Sequence, residues 1–319
     1  MMNYIFFVLL AAFLLLYAPY FLKTYHLRNL KESDLPKEGS WIKLSEGNIY
    51  YRWYSPNEGK ENGETIVMVH GFSTPSFVWG GLLDNLINEG YKVLVYDHFG
   101  RGYSERPKIA YSKDLYVNTL KELIDSQGLS KPLHLLGYSM GGPIVGHFAT
   151  TYPNLTKSLS LIAPAGFMMK AAGLSGWSTK PVIGNWFWHV FNHKIYGVGK
   201  MSETTSSDDP LSINEEEFLS HFNNQLLFKG FTESLLSTVR NFQMFNAEDM
   251  YSKIGDQGVP ALAIWGKKDG VVPYEGSVLL KQCIPQVKLI TIDEGTHDIT
   301  YRQPTQVSDA LKDFLSNTE

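Results

Sequence analysis

The chain has 319 residues, 44% of them hydrophobic and 19% charged, so it can bury one large core or two modest ones and is not composed like a disordered polymer. A formal net charge of -4 leaves no basic surplus to neutralise phosphates, which argues against a nucleic-acid partner. The single cysteine, Cys283, can make neither an intrachain disulfide nor a multi-thiolate metal site.

From Met1 to Leu22 no side chain is charged, and Tyr4 to Leu22 is a nearly continuous apolar run. Its length of about 19 residues matches the hydrocarbon thickness of a bilayer, so residues 1–22 are read as a transmembrane anchor. A cleaved signal peptide is the weaker reading, because the start Met1-Met2-Asn3 carries no basic side chain and no small-x-small site closes the run. Lys23, Arg28 and Lys31 follow the span and no basic side chain precedes it, which places a single-pass protein with its large domain on the cytoplasmic side. Residues 23–40, broken by Pro36 and Gly39, read as a juxtamembrane linker.

Trp41 to Tyr54 holds two β-type runs around Glu46-Gly47-Asn48, a hairpin signal. Short apolar runs then recur at Thr65–Val69, Lys92–Tyr96, Leu133–Leu136, Ser158–Ile162, Ala261–Trp265 and Val287–Ile292, with helical stretches such as Ser112–Gln127 and Pro143–Tyr152 between them. This alternation predicts a doubly wound, mostly parallel α/β sheet with its ligand site at the carboxyl ends of the strands. Roughly 95 residues separate the fourth and fifth of these runs, too many for a simple crossover, and they read as a helical cap inserted after the sixth strand. Trp177, Trp186, Phe187, Trp188, Phe191 and Tyr196 crowd its first half, and Phe218, Phe222, Leu226, Leu227, Phe231, Leu235 and Leu236 recur at helical spacing in its second. Ser202 to Asp209 is a polar loop candidate. The expected division is core over 41–165, cap over 166–250 and core again over 251–319.

The sequence Gly137-Tyr138-Ser139-Met140-Gly141 matches G-x-S-x-G, directly after one apolar run and before a helix-like segment. A sharp turn there exposes Ser139 as a nucleophile and needs small neighbours, hence Gly137 and Gly141, while Gly142 lets the following helix pack closely. A serine hydroxyl needs a base, and in such a strand-turn-helix site the acid and then the histidine follow the serine along the chain. Of nine histidines only His297 satisfies that order, since the others precede Ser139, lie on the next helix, or fall in the cap. Asp269, in the loop after Trp265-Gly266-Lys267-Lys268, is the matching acid; Asp293 and Asp298 sit too near His297 in sequence, and Asp249 and Asp256 precede the strand. The N–H groups of Met140 and of Phe72, in His70-Gly71-Phe72-Ser73, are the expected oxyanion hole, with His70 structural. The His189 and His193 pair has metal-like spacing but lacks an adjacent glutamate and a third ligand, so no metal is expected.

Together the His70-Gly71-Phe72 loop, Asp97-His98-Phe99-Gly100-Arg101-Gly102-Tyr103-Ser104, Gly137 to Gly142, Trp265 to Asp269 and Gly295-Thr296-His297 resemble the α/β-hydrolase superfamily from about Trp41 onward. A single amino-terminal span before such a domain also resembles membrane-anchored monoacylglycerol lipases. Carbon-carbon bond (meta-cleavage product) hydrolases, small-ester esterases and cofactor-free haloperoxidases are similar in the same motifs. The resemblance implies a serine hydrolase that needs no cofactor and acts on a carboxylic ester, with a lipid-like ester such as a monoacylglycerol favoured by the bilayer tether and by a cap containing Met168 and Met169. A serine in the nucleophile position departs from dehalogenases and epoxide hydrolases, and Met140 in place of tryptophan departs from proline iminopeptidases. The remaining alternatives are a carbon-carbon bond hydrolase and a non-catalytic receptor that keeps the cavity.

Overall fold

Near-continuous apolar strands require cover on both faces, and the computed structural model of the protein, which describes residues 2–167, 176–195 and 208–318, supplies it. Helix α1 (Met2–Thr24) precedes the hairpin of β1 (Ser40–Leu44) and β2 (Gly47–Tyr54), whose register runs from Ser40 opposite Tyr51 to Leu44 opposite Gly47. Then come β3 (Thr65–Val69), α2 (Gly80–Asn88), β4 (Lys92–Tyr96), α3 (Lys113–Ser126), β5 (Leu133–Tyr138), α4 (Gly141–Thr151) and β6 (Thr156–Ile162). The insertion contributes α5 (Ile183–Val190), α6 (Asn192–Ile195), α7 (Glu215–Gln225) and α8 (Phe231–Asn241). The chain returns through α9 (Glu248–Asp256), β7 (Ala261–Gly266), α10 (Glu275–Cys283), β8 (Lys288–Ile292), α11 (Ile299–Arg302) and α12 (Pro304–Ser316).

The eight strands form one sheet in the order β1-β2-β4-β3-β5-β6-β7-β8. Only the β1–β2 and β2–β4 pairings are antiparallel; from β4 to β8 every neighbour is parallel. Side chains alternate between two buried layers, as the period of two in a strand dictates. Val67, Leu94, Leu135, Leu159 and Ala263 face one layer, built on α3, α4, α9 and α10. Ile66, Val93, Leu136, Ile162 and Leu262 face the other, built on α2, α11, α12 and the insertion.

Local chemistry fixes the helix starts. Ser112 Oγ accepts from Leu115 N at 3.3 Å, capping α3, and Asn214 Oδ1 accepts from Glu217 N at 2.9 Å, capping α7 above three first-turn glutamates that suit the positive end of the helix. Helix α4 begins at Gly141, two residues earlier than the expected start at Pro143. Proline is tolerated there because first-turn N–H groups have no intrahelical acceptor. The hairpin turns at Ser45-Glu46, with Gly47 already in β2.

The segment read as a juxtamembrane linker touches the insertion: Arg28 N donates to Leu227 O at 3.0 Å, Lys229 N donates to Arg28 O at 2.9 Å and the Arg28 guanidinium lies over Phe228. Of the aromatic residues in the insertion, Trp188 is fully buried and Trp177 is 59% exposed. Met168, Met169, Tyr196 and most of the Ser202–Asp209 stretch lie outside the described residues.

The loops after β3 and β4 are locked together by a buried histidine pair. His98 N donates to His70 Nε2 at 2.9 Å, so the His70 proton sits on Nδ1, which donates to Gly71 O at 2.9 Å. His98 Nε2 in turn donates to His70 O at 3.1 Å. Burial, with the nearby Arg101 cation, pushes His98 down to about 3 and His70 well below the ordinary histidine value. A lowered folded-state pKa means that the unfolded chain binds more protons once pH falls below about 6.5, so stability is full above that pH and declines on acidification toward the folded value. Urea unfolding followed by tryptophan fluorescence should therefore show a lower midpoint at pH 5 than at pH 7.5, with the unfolding free energy falling by about 1 kcal/mol or more per pH unit below 6.5. His98→Gln, with one titrating ring fewer, should flatten that dependence; equal midpoints in the wild type would contradict the neutral pair.

Candidate active site

Ser139 follows the last residue of β5 and adopts φ 52°, a left-handed conformation that a serine holds only when its surroundings enforce it. Those surroundings are hydrogen bonds: Ser139 N donates to Ile162 O at 2.9 Å, and Ser139 O accepts from Gly142 N and Ala165 N, each at 3.0 Å. The turn also depends on two missing side chains. A Cβ on Gly137 would stand 2.5 Å from Gly141 O, and one on Gly141 would collide with Val69 O. The chain thus doubles back from strand to helix with backbone against backbone, and the helix amino terminus lies directly behind the serine.

The structure brings Ser139, His297 and Asp269 together across three strand ends. His297, in the loop after β8, has Nε2 2.9 Å from Ser139 Oγ and Nδ1 2.8 Å from Asp269 Oδ2. Asp269, in the loop after β7, receives the N–H groups of Val271 and Val272 on Oδ1, both at 2.8 Å, so its fully buried carboxylate is compensated by three donors. With Nδ1–H donating to the carboxylate, Nε2 is the free base facing the hydroxyl. The other acids lie elsewhere: Asp293 pairs with Lys267 at 2.7 Å, Asp298 bonds Thr296, and Asp249 and Asp256 are on α9.

Tyr138 is a contributor that sequence reasoning did not single out. Its hydroxyl donates to His297 O at 3.0 Å and its ring lies 5.2 Å from the imidazole, which fixes the histidine loop on the serine strand. The x position of the motif carries no pattern that identifies this role. Trp265 Nε1, donating to Val272 O at 2.9 Å, closes the Asp269 turn in the same way.

Gly71 lies against the serine, where an added Cβ would be 3.2 Å from Ser139 Cβ. Among the described residues the N–H groups of Phe72 and Met140 have no hydrogen-bond partner, and both residues flank that contact. Phe72 is held from behind by Arg101, whose Nε donates to Phe72 O at 3.0 Å and whose Nη2 donates to Thr238 Oγ1 at 2.9 Å. The insertion covers the strand ends through further contacts: Trp188 meets Phe72 edge-on at 6.5 Å, Phe218 meets Phe77 at 5.3 Å, and Gln225 Nε2 donates to Ser73 O at 2.8 Å. His70 is absorbed by its bond to His98, and His189 faces Glu233 at 3.3 Å with Nδ1 on Asn185 O; the His193 side chain lies outside the described residues.

A serine hydroxyl within hydrogen-bond distance of an imidazole that is itself held by a buried carboxylate has the geometry that nucleophilic catalysis requires. Comparison with known proteins agrees in kind. Lipase 3 of Moraxella sp. (strain TA144) is 28% identical over 252 residues, 76% of this chain and 74% of its own length. The 2-hydroxy-6-oxononadienedioate/2-hydroxy-6-oxononatrienedioate hydrolase 1 of Pseudomonas putida is 26% identical over 291 residues, 87% of this chain and 96% of its own. Monoacylglycerol lipase abhd6-B of Xenopus laevis is 25% identical over 296 residues, 88% of this chain and 84% of its own. A family model described as serine aminopeptidase, S33, matches residues 60–303. With that match spanning most of its length, the chain belongs to the serine aminopeptidase S33 family within the α/β-hydrolase superfamily and is a serine hydrolase.

Proposed function

We propose that this serine hydrolase cleaves the carboxylic ester of a lipid-like substrate, a monoacylglycerol being the type case, while anchored in a membrane by α1. The single observation that carries the chemistry is His297 standing within hydrogen-bond distance of both Ser139 and Asp269. In the first step Ser139 Oγ attacks the ester carbonyl carbon as His297 Nε2 takes the hydroxyl proton, and Asp269 stabilises the resulting imidazolium. The N–H groups of Phe72 and Met140 hold the negative oxygen. The tetrahedral species collapses, the alcohol leaves with the proton from His297, and water then attacks the acyl-enzyme by the same relay to release the acid.

The lipid preference draws on the lipase relatives and on the apolar residues that the insertion lays against the loop after β3, Trp188 on Phe72 and Phe218 on Phe77. Residues 166–250 act as the cap of this unit, between the core segments 41–165 and 251–319. A second reading, hydrolysis of a carbon-carbon bond, is favoured by the similarity to the Pseudomonas putida enzyme. The anchor reading draws on α1, which is apolar over Asn3–Thr24 and wholly exposed in its most hydrophobic window, as a helix facing lipid would be. The basic residues that follow the apolar run support a catalytic domain on the cytoplasmic side.

Ser139→Ala should abolish ester turnover, a loss on the order of 10⁶-fold in kcat, and abolish labelling by a fluorophosphonate. Asp269→Asn should lower kcat by about 10⁴-fold with little change in KM, because the imidazole then presents the wrong tautomer. Retained labelling of the first variant, or wild-type kcat in the second, would sink the assignment. On an acyl series, kcat/KM should rise from acetyl to medium and long chains; an acetyl preference would count against a lipid, and efficient cleavage of a vinylogous diketone would favour the second reading. The mature protein should keep its amino terminus and resist protease added outside sealed cells, whereas a terminus beyond Leu22 or an externally digested domain would show export instead.

A further inference from the structure

The last turns of α1, the loop after β4 and helices α5 and α8 enclose a cavity of about 700 Å3 whose walls include none of Ser139, Asp269 and His297. Four cations line it: Arg106, Lys108, Lys229 and Arg240. Among the described residues none of the four meets a carboxylate at ion-pair distance. The wall has one acid among the described residues, Glu233, and its carboxylate faces His189 Nε2 at 3.3 Å. Among the described residues the wall thus carries four cations and one carboxylate, in a chain whose formal net charge is -4.

Two of the cations are held by carbonyl groups. Arg106 donates to Ser104 O at 2.6 Å and Gly102 O at 2.7 Å and lies over the Phe228 ring, while its Nε is buried without a partner among the described residues. Burial pushes Arg106 down to about 10, which leaves it cationic at neutral pH. Arg240 donates to Thr179 O at 2.6 Å and Lys180 O at 3.0 Å. Carbonyl acceptors orient a guanidinium and leave its charge in place.

The position of the cavity identifies the anion. Tyr20 and Thr24, on the last turns of α1, form part of its wall, Tyr20 near the end of the apolar run Tyr4–Leu22 and Thr24 two residues beyond it. In a spanning helix these residues sit at headgroup depth, where tyrosine is enriched and basic pockets meet phosphate. We propose that this cavity binds the phosphate of an anionic phospholipid headgroup through Arg106, Lys108, Lys229 and Arg240, at the point where α1 leaves the bilayer. The assignment rests on the anchored reading of α1.

The test uses the full chain in non-ionic detergent, offered equal amounts of phosphatidylglycerol and phosphatidylcholine, with retained lipid counted by native mass spectrometry. Wild type should retain phosphatidylglycerol at least about tenfold over phosphatidylcholine, since each cation near a headgroup contributes on the order of fivefold. Lys108→Glu with Lys229→Glu, at two exposed side chains, should erase that preference while keeping the wild-type unfolding midpoint; Lys108→Gln with Lys229→Gln repeats the test without charge reversal. Equal retention by wild type, or an undiminished preference in either double variant, overturns the site. Thermal stabilisation by inorganic phosphate without retention of phosphatidylglycerol also overturns it, by assigning the cavity to a soluble anion. Alkaline extraction of native membranes reads the anchor independently: a peripheral protein that still selects phosphatidylglycerol would remove the anchor and keep the site, and an integral one that does not select would remove the site alone.

Discussion

The turn between β5 and α4 is the steric constraint on which the site rests. Backbone passes backbone there so closely that Gly141 lies against Val69 O and Gly137 against Gly141 O, and no side chain fits at either position. The cost is a serine in the left-handed region, and the hydrogen bonds to Ile162, Ala165 and Gly142 offset it. Because α4 starts immediately, its unpaired amino-terminal N–H groups arrive at the serine without any further device. An alanine at position 141 would have to push β3 away from β5, which moves Phe72 and Ser139 apart together.

A parallel sheet then does the assembling. Strands β5, β7 and β8 all end on the same edge, so loops separated by more than a hundred residues meet above it, and β6 fills the gap between β5 and β7 while accepting Ser139 N through Ile162 O. The histidine is held twice, by Asp269 through its ring and by Tyr138 through its carbonyl. Rigid support of this kind keeps reacting groups within a few tenths of an ångström, which is where positional contributions to rate are decided.

What the sequence made legible followed from repetition and order. Strands buried on both faces read as continuous apolar runs, and all six such runs are strands; chain order and places after strands singled out a serine, an acid and a histidine whose side chains lie within hydrogen-bond distance in the folded chain. What stayed hidden depends on contacts between distant segments that have no period. His70 and His98 are 28 positions apart, Arg101 and Thr238 137 apart, and nothing local marks either pair as partners. Arg28 looked like a linker charge because its acceptor and its aromatic partner, Leu227 and Phe228, lie in the insertion. Tyr138 looked neutral because its motif position tolerates any residue.

One helix links the amino-terminal segment to the site. Trp186 Nε1 of α5 donates to Leu16 O of α1, and His189 on the same helix meets the Tyr20 ring edge-on at 5.1 Å. Trp188, between them in sequence and fully buried, turns inward and meets Phe72. Helical geometry requires this division, since residues two apart face directions about 200° apart, so α5 presents one side to the apolar helix and the other to the loop beside Ser139. The contact from α1 to the loop beside Ser139 therefore runs through one helix and not through the sheet.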